Sequence, residues 1–298
     1  MSKFSELWDA VVSSSGQERA DAMEALAKGL WFDDQVEESI AVHHELLAVH
    51  RVEGNRRQFL NLSWRMAQHL YFKDIYPESL EIAQAALVDE DPTDDPTILG
   101  FVHQLIAMCH FELDCIPEAL ASNLRAKELL QSTNCHSAAG MTTVWAGENY
   151  LALGLPEQAE DLIIEGIEIL QEDGTMPEFV VSGYQSLAKV NIALGQQSAA
   201  RHHLVQAHAI TTFIGDVTML QSVNLQLGQV CTDLGDYSDA AKYLQAAIAE
   251  KGNPDLVKQS ARASAAFARN LIASGDTDAG TAMLNELKPV LRALGIKE

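Results

Sequence analysis

One residue position recurs along this chain at intervals of 40, 40, 40, 41, 40 and 40, occupied by Asp34, Asp74, Asp114, Gly154, Gly195, Gly235 and Gly275. Self-similarity at such a period means a row of small units, each unable to bury an apolar face alone, that gain a core by stacking. Seven positions before each mark stands a small residue: Ala27, Ala67, Ala107, Gly147, Ala188, Gly228 and Ala268. With 40 Ala and 18 Gly among 298 residues, seven out of seven arises by chance about once in 10⁵. Five positions after the mark come Ser39, Ser79, Ala119, Ala159, Ala200, Ala240 and Gly280. Twelve after it stand Leu46, Ala86, Ala126, Gly166, Ala207, Ala247 and Leu287.

Each mark lies between two amphipathic stretches, as in SVNLQLGQVCTDL before Gly235 and SDAAKYLQAAIAE after it. Every unit therefore reads as a helical hairpin. Small side chains at fixed places on the two helices allow a close crossing, and larger residues such as Leu26, Met66, Ile106, Leu187 and Leu227 fill the space beside them. Gly54, Asp94, Asn134, Gly174, Gly215 and Asp255, of types that tolerate a left-handed backbone, are expected to close the second helices. Pro77, Pro117 and Pro156 open second helices, Pro92, Pro96, Pro177 and Pro254 lie between units, and Pro289 should end or kink the last helix.

A large apolar residue, then Gly or Ala, a turn residue seven later and a small residue five beyond it resembles the tetratricopeptide repeat, best seen in LQLGQVCTDLGDYSDAAKYLQAAI from Leu225 to Ile248. The forty-residue period resembles the long version found in kinesin light chains and signalling scaffolds. The expected fold is all-α, a right-handed solenoid of about seven helix-turn-helix units. Residues 1–16 are expected to form an N-terminal capping helix and 17–298 the solenoid, the last unit being an atypical C-terminal cap.

The resemblance implies an inner face lined by first helices that binds an extended or helical peptide. Placed on this chain, that face comprises Trp64, Gln68, Tyr71, Gln104, Met108, Phe111, Glu148, Gln185, Lys189, Gln229 and Arg269. Glutamine both donates to and accepts from a peptide backbone, so the four glutamines suit a main chain. The alternative is that the aromatics pack between units and the amides are solvated. A subclass of the family clamps a C-terminal carboxylate in its first three units; Lys28 and Arg65 fit in part, but Ala25, Phe101 and Leu105 occupy places where its polar residues belong. Other relatives sense peptides through an output domain ahead of the repeats; the 16 residues before the first unit are too few for one, so a sensor of this kind would act through a separate partner.

The formal charge of −22 lies within the first 180 residues, and only Arg125 and Lys127 are basic between Lys73 and Lys189. With no continuous basic face, nucleic acid and anionic membrane are not expected partners. No stretch is apolar enough for a membrane helix, the start MSKFSELWDA lacks a signal-peptide pattern, and four cysteines at no framework spacing suit a reducing compartment. The expectation is cytoplasmic. Sites for chemistry are not found: His44-Glu45 lacks the second histidine of a zinc-binding H-E-x-x-H helix, and His103, Cys109, His110, Cys115, Cys135 and His136 contain no C-x-x-C pair. The acidic run Asp89 to Asp95 lacks the glycine and terminal Glu of a calcium loop and reads as a solvated link. The chain is thus expected to be a non-enzymatic protein- or peptide-binding adaptor without cofactor or metal. The competing readings are a structural subunit of a larger assembly and a self-associating solenoid.

Overall fold

In a computed structural model that describes residues 4–248 and 254–296, all regular structure is helical. The residues group into two compact units, Met1–Cys135 and His136–Glu298. Unit 1 holds a short helix α1 (Ser5–Ser13), then the hairpins α2 (Gly16–Phe32) with α3 (Val36–Val52), α4 (Arg56–Tyr71) with α5 (Tyr76–Leu87), and α6 (Pro96–Glu112) with α7 (Ile116–Gln131). Unit 2 holds four hairpins: α8 (His136–Ala152) with α9 (Pro156–Asp173), α10 (Pro177–Ala193) with α11 (Gln197–Ile214), α12 (Val217–Asp233) with α13 (Tyr237–Ile248), and α14 (Pro254–Ala273) with α15 (Thr277–Ala293).

The recurring mark is the left-handed residue that turns each hairpin. Asp34, Asp74 and Asp114 have φ of 59°, 60° and 60°, and the four glycines lie between 73° and 102°. In all seven hairpins the next amide donates to the carbonyl five residues back, from Gln35 to Leu30 at 2.9 Å through Asp276 to Leu271 at 2.9 Å. This bond satisfies a carbonyl that the helix end leaves open, and only Gly, Asn and Asp enter the required conformation at modest cost.

The two rows of small residues face each other across each hairpin. Ser39 Oγ donates to the Ala27 carbonyl at 2.8 Å and Ser79 Oγ to that of Ala67 at 2.6 Å. A Cβ on Gly147 would stand 3.0 Å from the Ala159 carbonyl oxygen, and one on Gly280 2.5 Å from that of Ala268. Close approach of the backbones thus explains why both positions stay small. In the last hairpin Leu287 is only half-buried, against a small cluster around Leu291.

Two expectations need correction. Among the second-helix breaks, Gly54, Gly174 and Gly215 take the left-handed backbone, whereas Asp94 and Asn134 do not. Asp255 is within the first turn of α14, while residues 249–253, where α13 would close, lie outside the described residues. Pro289 neither ends nor interrupts α15, which runs on to Ala293. The acidic run is exposed from Asp89 to Thr93, as a solvated link would be, and its carboxylates also have partners. Arg51 reaches Asp89 at 3.2 Å, Arg57 reaches Asp95 at 3.6 Å, Arg125 reaches Glu90 at 3.0 Å, and Arg56 grips Asp94 through Nε and Nη2. Asp95 also caps α6 by accepting from the Thr97 amide. The single 41-residue interval resolves in the α9–α10 loop, where Asp173 accepts from Ser137 and Thr175 hydroxyls.

A polar core position in the first hairpin has a measurable consequence. Nine residues after the mark stand Ala83, Ile163, Leu204 and Leu244, all buried, but the third hairpin places Asn123 there and the first His43, both 4% exposed. Its Nδ1 lies 2.8 Å from the Ser39 carbonyl oxygen, and its ring stands edge-on to His69, centroids 6.5 Å apart. His69 stacks on Trp31 at 4.7 Å and buries an Nδ1 without a partner. Burial, with Arg65 nearby, holds both imidazoles below the ordinary 6.5. Unfolded histidines take up protons near pH 6.5 while the folded pair resists, so the folded state loses stability as pH falls below that value. His43→Leu is expected to raise the melting temperature at about pH 5.5 more than at about pH 7.5. Equal gains at both values would contradict this, as read by thermal circular dichroism.

Candidate functional site

The residues expected to line an inner face fall into two groups, one in each unit. In unit 1, Trp64 on α4 is half-buried, stacks on Phe101 of α6 with centroids 5.3 Å apart, and packs against the core. Met108 packs against the same core, and Gln68 and Gln104 are half-buried. Tyr71 donates its hydroxyl to Glu112 at 3.3 Å; its burial, reinforced by that carboxylate, pushes the phenol pKa up. Phe111 stands 45% exposed near the end of α6. Trp64 and Met108 thus contribute packing between helices as much as exposed surface.

The unit 1 cavities lie elsewhere. One of about 290 Å³ between α2 and α4 carries Glu24, Asn61 and Arg65, with Arg65 paired to Glu24 at 2.5 Å. Another of about 440 Å³ opens between α3 and α5 over Phe59 and Leu70 of α4.

In unit 2 the structure brings four of the five expected residues to one open cavity of about 440 Å³. Gln185 and Lys189 come from α10, Gln229 from α12 and Arg269 from α14; Ala188, Leu204, Val230 and Ala266 form an apolar floor. The first helices meet there because Lys189, Gln229 and Arg269 all follow the small residue that packs each hairpin, so each projects beside it at the same phase. Glu148, the member from α8, is not on the lining; it accepts from Lys189 Nζ at 3.1 Å and from Ser186 Oγ at 2.6 Å. The Gln185 amide is also engaged, donating to Ser222 and to Gln226, both at 3.1 Å. Gln229 and Arg269 are exposed, and no ion pair holds Arg269 among the described residues.

Ile192, Gln226, Thr232 and Asp233 also line the cavity and were not anticipated. They stand three or four residues from Lys189 or Gln229, which puts them on the same helix face one turn away. Extending each inward position by one turn would have found them. The cavity offers amide, hydroxyl, cationic and anionic groups above an apolar floor, with no nucleophile held against a base.

Among the described residues no group of three or more His, Cys, Asp or Glu side chains is placed to hold a metal ion, and Cys109 is buried with its thiol donating to Ser79 Oγ at 3.2 Å. No helix of the described residues is long and apolar enough to cross a membrane.

Seven hairpins with one turn geometry and one pair of small packing positions define a tetratricopeptide-like helical repeat fold. Solved structures with this fold match most of the chain, although no protein-family model and no curated protein matches it. Aspartyl phosphate phosphatase F from Bacillus subtilis shares 14% identity, covering 97% of this chain and 76% of its own at a TM-score of 0.65. A Rap protein complexed with competence and sporulation factor is 14% identical over 94% of this chain and 78% of its own, with a TM-score of 0.62. TPR-like repeats from Podosopora anserina are 16% identical over 67% of this chain and 96% of theirs, with a TM-score of 0.55.

Proposed function

We propose that this protein is a non-enzymatic adaptor that binds a segment of another protein or a peptide along the first helices of unit 2. The observation that carries this is the convergence of Gln185, Lys189, Gln229 and Arg269, four residues that the repeat resemblance places on the inner face, on one open cavity. Its apolar floor suits one or two aliphatic side chains, and Gln229 can both donate to and accept from a main chain. Arg269 adds a guanidinium with no ion pair among the described residues, and Lys189 is already matched by Glu148. The Rap protein complexed with a factor supports the reading, since a fold of this kind there holds a ligand. The adaptor is expected to act in the cytoplasm, with its partner supplying any output.

Partners captured from host extract should separate the groove from the rest of the surface. Because Gln229 and Arg269 are exposed, replacing both by Ala is expected to leave the melting temperature unchanged. Two lost contacts of about 1 kcal/mol each lower recovery of a genuine partner by about tenfold or more. Undiminished recovery of every captured protein would remove the groove from consideration.

A further inference from the structure

The hairpin tips of unit 1 carry aromatic side chains, two of them largely exposed. Three residues before the mark stand Trp31, Tyr71 and Phe111; two before it stand Phe32 and Phe72, 78% and 69% exposed. At this second position the hairpins of unit 2 have Ala152, Ala193, Asp233 and Ala273. The same turn therefore closes without a ring. Two large rings are thus left in water at one repeat phase.

The charge around these rings specifies the partner. Turn segments 31–35, 71–76 and 111–115 carry five carboxylates and one base, Lys73. That base already shows how the edge holds a cation. Its ammonium sits 5.8 Å from the Trp31 ring centroid and 2.6 Å from Asp34 Oδ1. The hairpin that supplies Lys73 offers the same parts, and among the described residues no cation lies over the rings at its own tip. Phe72 and Tyr76 flank Tyr71 with centroids 5.8 and 5.3 Å away, while the carboxylates of Asp74 and Glu112 accept from the Tyr76 and Tyr71 hydroxyls.

We propose that the hairpin-tip edge of unit 1 receives a Lys- or Arg-rich segment of a partner protein, its cations lying over the exposed rings and paired to the flanking carboxylates. Ring faces attract such cations and carboxylates beside them add to the attraction. This surface is separate from the unit 2 cavity and would let one chain hold two partners.

Calorimetric titration with a nona-arginine peptide tests the edge on the whole protein. A Phe32→Ser/Phe72→Ser variant keeps every charge and alters only exposed side chains. It is expected to bind the peptide about tenfold more weakly than wild type, with an unchanged circular dichroism spectrum. The Gln229→Ala/Arg269→Ala variant should bind it as wild type does. Equal affinity of the aromatic variant would reduce the attraction to the overall charge of −22 and overturn the proposal. So would absence of binding to wild type, or light scattering in which wild type is a dimer that the aromatic variant cannot form.

Discussion

Gly166→Val is expected to lower the melting temperature by on the order of 10 °C, through a loss of about 3 kcal/mol or more. A Cβ at residue 166 would stand 2.8 Å from the Gly140 carbonyl oxygen and 2.9 Å from the Val144 amide nitrogen. Both are backbone atoms of α8, so no rotamer change relieves the clash. The helices must move apart, and Gly147, whose own Cβ would meet Ile163 Cγ1 at 2.5 Å, loses its packing as they do. Gly154→Asp makes the matching control. That position has φ of 76° and nothing within 4 Å of a built Cβ, and Asp already serves there in three hairpins. It should cost about 1 kcal/mol. If thermal melting ranked the two substitutions equally, close helix approach would not be what keeps residue 166 glycine.

Arg56→Ala is expected to cost about 2 kcal/mol, more than exposed ion pairs give, because the carboxylate it abandons is enclosed. The Asp94 side chain is 5% exposed and Arg56 28%. Asp94 also accepts from the Asp91 amide at 3.0 Å, so the pair fixes the loop between α5 and α6. Burial opposes ionisation of Asp94, yet the guanidinium and that amide outweigh it and hold the carboxyl below its ordinary 3.8. Such a group stabilises the fold above the unfolded value and loses that contribution as pH falls through the folded one. Wild type should therefore lose more stability than the variant between about pH 5 and pH 3. Parallel acid limbs in urea unfolding would show that the pair contributes nothing to the loop.

The turns and the hairpin packing were legible because both repeat. A left-handed residue and two small contacts impose the same demand seven times, and few residue types meet it. The loops between hairpins were less legible. Asp94 was expected as a left-handed break, but a short carboxylate can instead accept from a distant arginine, and its neighbours do not decide between these roles. A signal did exist: Arg51, Arg56 and Arg57 each lie 38 positions before the aspartate they pair with, nearly one repeat away. For the groove, phase located Lys189, Gln229 and Arg269, which share one position. It could not show that Gln185 spends its amide on Ser222 and Gln226 or that Glu148 serves Lys189, because those bonds join residues 37, 41 and 41 positions apart.

The uniform turn also bears on ancestry. Since every hairpin closes with the same backbone bond and the same small-on-small contact, an in-frame duplication of one repeat's codons delivers a segment whose ends already fit its neighbours. Copies are then free to diverge where the shared contacts do not reach. The tips of unit 1 now carry rings and the first helices of unit 2 amides and cations, a difference that divergence of copies of one hairpin would produce without a new fold.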